Sequence, residues 1–583
     1  MSTSLSTLPP EDLLIKRRAL RRSLSATPNL RPIRIAILGG GTTQELASLL
    51  DLYLLESGFL PTFHQSDYGR YETDALHTPE SLIAFAPNLV YLHTSVRDLQ
   101  SFPPLDATED LLAEHVEREL SRYQHIWTAL FERLHCTILQ NNFEPPITSL
   151  FGNLDATLPG GPTRFVNELN LAFARAATGK LHIHDAASIA ARIGLHHWFD
   201  PQRWFRARIH TTPAGSNSLA QSLAAVIRAL YGLSRKVLVL DLDNTLWGGV
   251  IGDDGLDHIV LGRETPLAEA FTAFQQYCLA LRGRGVLLAV CSKNDEATAR
   301  QGFAHPDSIL KLEHFSAFKA NWDPKPDNIT AIARELNLGA DSFVFVDDNP
   351  AERALVAAQV PDIAVPNLGT DPADYPHILD RARYFEAVAL SPEDLTRASA
   401  YQQNTQRSVA ATTFADYGQY LDSLDMSAEI APFQPVYLNR IAQLTNKTNQ
   451  FNLTTRRYTL AEIESSASDP STIALYGKLT DRFGDNGLVS VAIAHRTGDL
   501  LDIALWLMSC RVLKRTMEHA MLDALVTHAR ALGVTTLRGT YIPTAKNAMV
   551  ANHYPALGFQ QAEGTTYTLD LAGYIPRNRH IHI

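Results

Sequence analysis

Lys236-Val-Leu-Val-Leu-Asp241-Leu-Asp243-Asn-Thr245-Leu-Trp247-Gly-Gly249 runs an apolar, partly β-branched stretch straight into two carboxylates. A short run of that kind reads as a strand buried on both faces of a parallel sheet. The C-terminal end of such a strand is where an open α/β sheet places its ligands. Asp241 and Asp243 stand two apart, so in a continuing strand they share one face and repel unless a proton or a cation lies between them. Hard oxygen ligands favour a divalent cation, Mg2+ first.

Two further strands of the same kind follow. Gly285–Val290 ends in Cys291-Ser292-Lys293-Asn294, and Ser342–Val346 ends in Asp347-Asp348-Asn349-Pro350. Between the first two the spacing predicts a helix over 267–282, with Leu267, Phe271, Phe274, Cys278 and Leu281 on one face. Asn321-Trp-Asp-Pro-Lys325-Pro-Asp-Asn328 and a second helix separate the second strand from the third. Right-handed crossovers bring all three strand ends to one edge. Each residue there has a physical task. Asp241 can attack phosphorus, and Asp243 can protonate the leaving oxygen and then activate water. Asp241, Asp243, Asp347 and Asp348 are the candidate cation ligands. Thr245, Ser292, Lys293 and Asn294 are the candidate substrate- and phosphate-binding residues, and Lys325 offsets charge on the phosphate or the aspartate.

Working outward, 583 residues suggest three or four domains. A net charge of −11 argues against general nucleic-acid or anionic-membrane binding. The four cysteines, Cys136, Cys278, Cys291 and Cys510, form no Cys-x-x-Cys, which argues against a disulfide framework or zinc site and fits a reducing compartment. No uncharged apolar run reaches the ~18 residues of a membrane span, and no signal-peptide core is present, so a cytoplasmic protein is expected.

Residues 1–30 hold a short basic helix. Residues 31–231 alternate strand and helix: a strand at Ile33–Leu38, the turn Gly39-Gly40-Gly41-Thr42-Thr43, a helix over 44–56, strands at 89–93 and 136–140, and a helix over 116–134. His182, His184, His196 and His197 read as structural histidines. Residues 371–424 read as a helical connector. Its Leu421-Asp422-Ser423-Leu424 is too poorly housed to be a phosphopantetheine attachment site, so a carrier protein would be a separate chain. Residues 425–583 place a strand at 501–507, a helix over 517–531, a strand at 535–539 and a helix over 547–557.

Asp-x-Asp-x-Thr after a strand, followed in order by Ser292, Lys325 and Asp347-Asp348, resembles the haloacid dehalogenase (HAD) superfamily. The strings Asp-Leu-Asp-Asn-Thr-Leu-Trp-Gly-Gly, Cys-Ser-Lys-Asn and Val-Asp-Asp-Asn-Pro resemble its FkbH-like subfamily. The resemblance implies a Rossmannoid domain over 232–370 without a large cap, Trp247–Leu261 forming at most a small flap. It also implies a reaction: 1,3-bisphosphoglycerate gives an enzyme-bound glyceryl thioester, which passes to an acyl carrier protein for polyketide-type biosynthesis. Cys291, beside the phosphate site and Lys293, is then the expected acyl acceptor, with its thiolate favoured by the cation. A plain HAD phosphatase and a non-catalytic scaffold that recruits a carrier protein stay open.

The first domain resembles SGNH hydrolases, but its glycine turn carries no serine, Asp200 and His210 do not form Asp-x-x-His, and only Gly152-Asn153 loosely matches a family block. It reads as a doubly wound, non-hydrolytic module, with Thr42 or Thr43 as the remaining hydroxyls. The C-terminal domain resembles the GNAT acetyltransferase α+β fold. At its cofactor turn, Arg511-Val-Leu-Lys514-Arg515-Thr516 replaces both glycines, which puts coenzyme A binding in doubt. The polar string Asn446–Arg457 resembles an FkbH-like string and is open to a docking role or to a surface loop.

Overall fold

The structure is a computed structural model and describes residues 5, 8–411, 413–448, 450–544 and 546–583. The described residues form two compact units, 1–228 with 459–461, and 229–458 with 462–583. Among the described residues the fold is mixed α/β, with three sheets.

The first unit opens with the helix Pro10–Ser25. Its sheet holds β1 (Arg31–Gly39), β2 (Phe59–Gln65), β3 (Leu89–His93), β4 (Thr137–Asn141) and β5 (Leu181–His184), in the order β2-β1-β3-β4-β5. Every pairing is parallel. The helix Gln44–Glu56 follows the glycine turn as its leucine spacing predicts, and Ala36, Leu38, Val90 and Leu92 pack into the core with Tyr123, Trp127 and Phe173.

In the second unit β6 (Val237–Leu240), β7 (Leu287–Ser292), β8 (Phe315–Ala320) and β9 (Phe343–Val346) form a parallel sheet in the order β8-β7-β6-β9. Both faces are covered. Leu238, Leu240, Leu288 and Val290 pack on one side with Phe271, Phe274 and Cys278 of the helix Pro266–Gly283. Val237, Val239, Ala289 and Cys291 pack on the other with Ile329 and Ile332 of the helix Lys325–Glu335. This two-sided burial is why the runs read as apolar rather than alternating.

The third sheet contains β10 (Met426–Pro432), β11 (Thr472–Asp481), β12 (Gly484–Thr497), β13 (Leu500–Met508), β14 (Thr536–Thr540), β15 (Gln560–Glu563), β16 (Thr566–Asp570) and β17 (Ile581–His582). Its order is β15-β16-β14-β13-β12-β11-β10-β17, mostly antiparallel, with the helix Met517–Ala531 linking the parallel pair β13 and β14. The helix expected over 547–557 is instead two short turns, Ala548–Val550 and His553–Ala556. β13 and β14 pair only from Leu500 to Ile503. Beyond that point the polar string takes the gap: Met508 N donates to Phe451 O (3.0 Å), Leu453 N to Trp506 O (3.2 Å) and Ile542 N to Leu453 O (2.8 Å). Its middle, Phe451–Leu453, is therefore buried against the sheet, whereas Asn446 and Lys447 end the helix Leu438–Lys447 and Arg456 is exposed; Asn449 lies outside the described residues.

Candidate functional site

The C-terminal ends of β6 and β9 bring acids together around one cation. Lys325, the first residue of its helix, is almost fully buried, and its Nζ lies 3.0 Å from Asp241 Oδ2 and 2.5 Å from Asp347 Oδ2. Asp241, Asp347 and Asp348 each offer a carboxylate oxygen, all within 4.8 Å of one another. Among the described residues this is the one His/Cys/Asp/Glu group with that spacing. The buried Oδ1 of Asp241 has no hydrogen-bond partner. A buried carboxylate oxygen left unpaired is costly unless a ligand completes it. Hard oxygen donors and an unpartnered buried carboxylate oxygen together fit a divalent cation.

The electrostatics agree with that geometry. Burial, and then the Asp241 charge, raise Asp347 to about 6. The same two causes raise Asp348 above the ordinary carboxylate range. Burial works against the charge on Lys325, but the Asp241 and Asp347 carboxylates outweigh it and hold the ammonium above its usual value. One lysine thus faces several acids, and the excess negative charge is what a cation offsets.

Asp243 lies outside this three-carboxylate group. Its Oδ1 accepts from Trp247 Nε1 (2.9 Å) and Ile251 N (3.1 Å), and its Oδ2 from Asn294 Nδ2 (2.9 Å). Burial raises its pKa, and the Ile251 and Trp247 donors pull it back. Thr245, fully buried, receives the Asp348 backbone N–H (3.2 Å) and donates to Asp348 Oδ1 (3.4 Å), tying the first strand end to the third. Ser292 is buried at the end of β7, where its carbonyl accepts from Asn321 N (3.2 Å). Lys293 is partly exposed and paired with Glu352 (2.6 Å). Of the four candidate phosphate-binding residues, Thr245, Lys293 and Asn294 therefore already hold protein partners.

Cys291 stands at the same strand end, but its side chain belongs to the packed face with Val239 and Ile329. Its Sγ lies 3.7 Å from the Lys325 carbonyl, and burial pushes the thiol well above its usual value despite the nearby ammonium. The Lys325 ammonium favours a thiolate, but burial outweighs it, Asp241, Asp347 and Glu352 oppose it, and Lys293 is engaged by Glu352.

Sequence reasoning quoted Trp247 without giving it a task, and did not single out Glu352, Ile251 or Arg353. Arg353 donates to the carbonyls of Asp347 (2.7 Å) and Asp348 (2.6 Å) and so shapes the third strand end. The signal available for Trp247 was its place four residues after Asp243. The Trp247–Leu261 segment is pinned at its base, where Gly248 N donates to Val260 O (3.1 Å) and Val260 N to Gly248 O (2.8 Å).

In the first unit the glycine turn after β1 faces a different edge. A Cβ on Gly40 would lie 2.0 Å from Asp98 Oδ1, and one on Gly41 2.6 Å from Arg208 O. Thr42 donates through Oγ1 to Ala207 O (2.7 Å), and Thr43 through Oγ1 to Gln65 Oε1 (2.9 Å), so both hydroxyls are engaged. Asp200 caps the helix Pro201–Ala207, whereas His210 Nε2 lies 2.6 Å from Glu144 Oε1. Asn153 is exposed; the buried asparagine at this edge is Asn141, which accepts from Thr94 N (2.8 Å) and donates to Thr94 O (2.6 Å). His184 is held between Tyr91 OH (3.1 Å) and Ser222 Oγ (3.0 Å). In the turn 511–516, Lys514 and Thr516 sit at φ 63° and 58°, the left-handed conformation that glycine adopts most cheaply.

No protein-family model matches the chain, and no curated protein matches it. Among solved structures it is similar to the N-terminal part of a Bacteroides fragilis protein containing a phosphatase domain, crystallised in complex with Mg: 29% identity, TM-score 0.59, covering 64% of this chain and 99% of that one. That share exceeds what residues 232–370 alone span. Two acetyltransferases match smaller parts. One is a ribosomal-protein alanine N-acetyltransferase from Escherichia coli, at 15% identity and TM-score 0.21, covering 26% of this chain and 99% of that one. The other is a GNAT-family acetyltransferase from Staphylococcus aureus, at 11% identity and TM-score 0.21, covering 25% and 99%. Among the described residues no helix is long and apolar enough to cross a membrane.

Proposed function

We propose that this chain is a Mg2+-dependent phosphoryl-transfer enzyme of the HAD type, acting on a small phosphorylated substrate. The observation that carries this reading is the triad of Asp241, Asp347 and Asp348 around Lys325, with Asp241 Oδ1 buried and unpartnered. Similarity to a phosphatase-containing structure crystallised with Mg supports it. Asp241, Asp347 and Asp348 would hold the cation, which when bound neutralises charge on the phosphoryl oxygens. Asp241 attacks phosphorus; the phosphorus–oxygen bond to the leaving group breaks, and Asp243 delivers its proton to that oxygen. Water then attacks the aspartyl-phosphate, its proton returns to Asp243, and phosphate departs. Lys325 keeps Asp241 oriented and ionised throughout. Phosphate release from small phosphoesters and acyl phosphates, with Mg2+ and with chelator, tests this. Release that persists in Asp241→Asn, or that ignores chelation, overturns it.

The narrower proposal is glyceryl transfer from 1,3-bisphosphoglycerate to a separate acyl carrier protein. The FkbH-like strings support it, as does the position of Cys291 at the end of β7 beside β6. It requires the Cys291 thiol to leave its apolar packing and lose its proton. Intact-mass analysis with 1,3-bisphosphoglycerate and a carrier protein is the test. A glyceryl adduct lost in Cys291→Ala supports transfer; phosphate release without any adduct removes it and leaves the phosphatase reading standing.

A further inference from the structure

Asp243 is gripped by three N–H donors, and they divide unequally between its two oxygens. Oδ1 takes two, the Trp247 indole N–H at 2.9 Å and the Ile251 backbone N–H at 3.1 Å. Oδ2 takes one, from the Asn294 amide at 2.9 Å. A carboxylate rotates over a broad, two-fold torsion, so an ungripped aspartate would present either oxygen. Two donors on Oδ1 fill its acceptor capacity, whereas Oδ2 keeps a free lone pair.

The indole that does this is itself immobile. Trp247 is fully buried and meets Phe303 edge to face, with ring centroids 5.4 Å apart. It also lies against Gly302, where a Cβ would come within 2.6 Å of the ring. Ile251 begins the short helix Ile251–Asp254, whose first turn Asp254 braces by accepting from Val250 N (2.8 Å). The segment at the mouth of the site is therefore built onto the acid–base residue rather than hinged over it.

We propose that Trp247, seconded by the Ile251 N–H, is a positioning residue: it turns the Asp243 carboxylate so that Oδ2 carries the proton to the leaving oxygen. This rests on the phosphoryl-transfer reading. In the step concerned the Asp241–phosphorus bond forms, the phosphorus–oxygen bond breaks, and the proton on Oδ2 passes to the departing oxygen, leaving Asp243 ionised.

A poor leaving group needs that proton and a good one does not, so the test is the leaving-group dependence. Trp247→Phe keeps a ring against Phe303 but removes the N–H. It should lower kcat for an alkyl phosphate about 100-fold and for 4-nitrophenyl phosphate only about 3-fold, with KM little changed, general acid catalysis contributing about 10²–10⁴-fold. Ile251→Pro removes the second donor at a helix position that tolerates proline, together with a buried side chain of the core that also holds Trp247; a loss about 10-fold larger for the alkyl phosphate than for 4-nitrophenyl phosphate is expected. Phe303→Leu loosens the packing behind the ring and should affect both substrates alike. Equal losses on both substrates in Trp247→Phe and Ile251→Pro, or a change in KM alone, overturn the positioning role and make Trp247 a core residue only. A wild-type protein that cleaves neither substrate overturns the phosphoryl-transfer reading and the positioning role together, a result distinct from equal losses.

Discussion

At the end of β6, Asp241 keeps a buried oxygen with no partner while Lys325 stands between it and Asp347. At the end of β1, in the other compact unit, the glycine turn meets an edge whose acids are answered from within. Asp98 accepts from Ser95 N (2.7 Å) and Ser95 Oγ (3.0 Å), and Glu144 is paired with His210. Both edges crown parallel sheets, and both gather acids. What separates them is uncompensated charge. The first edge sets an imidazole and a hydroxyl against its acids, although His93 and His210 keep buried ring nitrogens without hydrogen-bond partners; the second holds several carboxylates on a single lysine, an excess of negative charge that a cation offsets.

The sharpest way to break this contrast is to delete the central acid of one edge and the imidazole of the other. Asp241→Asn should lower phosphate release by at least ~10³-fold, since loss of a nucleophile removes a whole reaction path. His210→Ala should leave phosphate release unchanged and lower thermal stability instead. An esterase activity lost in His210→Ala would reverse the assignment of the first edge.

Lys325→Met is next. It leaves Asp241 and Asp347 buried together without their cation, and removing one partner of a buried pair costs about 3–5 kcal/mol. Urea unfolding without Mg2+ should show the full loss, and Mg2+ should restore part of it. A variant as stable as wild type in chelator would mean that the acids are already neutral and that the charge argument is wrong.

The pH dependence is smaller and has a definite sign. Asp347 is raised to about 6, so in the cation-free protein its contribution to stability is fully present below the ordinary carboxylate value of about 3.9 and is lost as pH rises through about 6. Mg2+ favours the ionised form, so its stabilising effect should grow across that same window. Melting temperatures with Mg2+ and with chelator, from pH 5 to 7.5, should diverge as pH rises; a constant difference would place the cation elsewhere. At the first edge burial holds His93 down to about 3, so that imidazole stays neutral across this range, while burial also raises Asp98.

How much of this was legible follows from what each feature depends on. β6, β7 and β9 were readable because strands covered on both faces leave unbroken apolar runs, and the acids ending them stand out against that background. The register of Asp243 was not readable. The strand stops at Leu240, and the carboxylate is set by an indole and an amide brought back by a turn that periodicity does not describe. Nor was the fate of Asn446–Arg457: its polar side chains left a docking role and a surface loop open, but what places Phe451–Leu453 is the parting of β13 from β14, a tertiary event with no local signal. The Lys514 and Thr516 backbone shows the reverse, two left-handed residues where no glycine marks the turn in the sequence.

Cys291 is the finest discriminator, because sequence and geometry pull it in opposite directions. Its neighbours in the chain, Ser292, Lys293 and Asn294, suggest chemistry; its neighbours in space are the apolar side of the sheet. Cys291→Ser changes the thiol to a smaller, more polar hydroxyl in that packing, and the Lys325 carbonyl at the sulfur's position offers the hydroxyl an acceptor. Phosphate release should stay within about 2-fold of wild type, with a stability loss of about 1 kcal/mol, typical of a single core substitution. A large loss of turnover with unchanged stability would mean that the sulfur reaches the substrate during the reaction. Lys325 would then be more than the counter-charge of the acids: since its carbonyl holds the sulfur at rest, movement of the Lys325 backbone would be what releases the thiol.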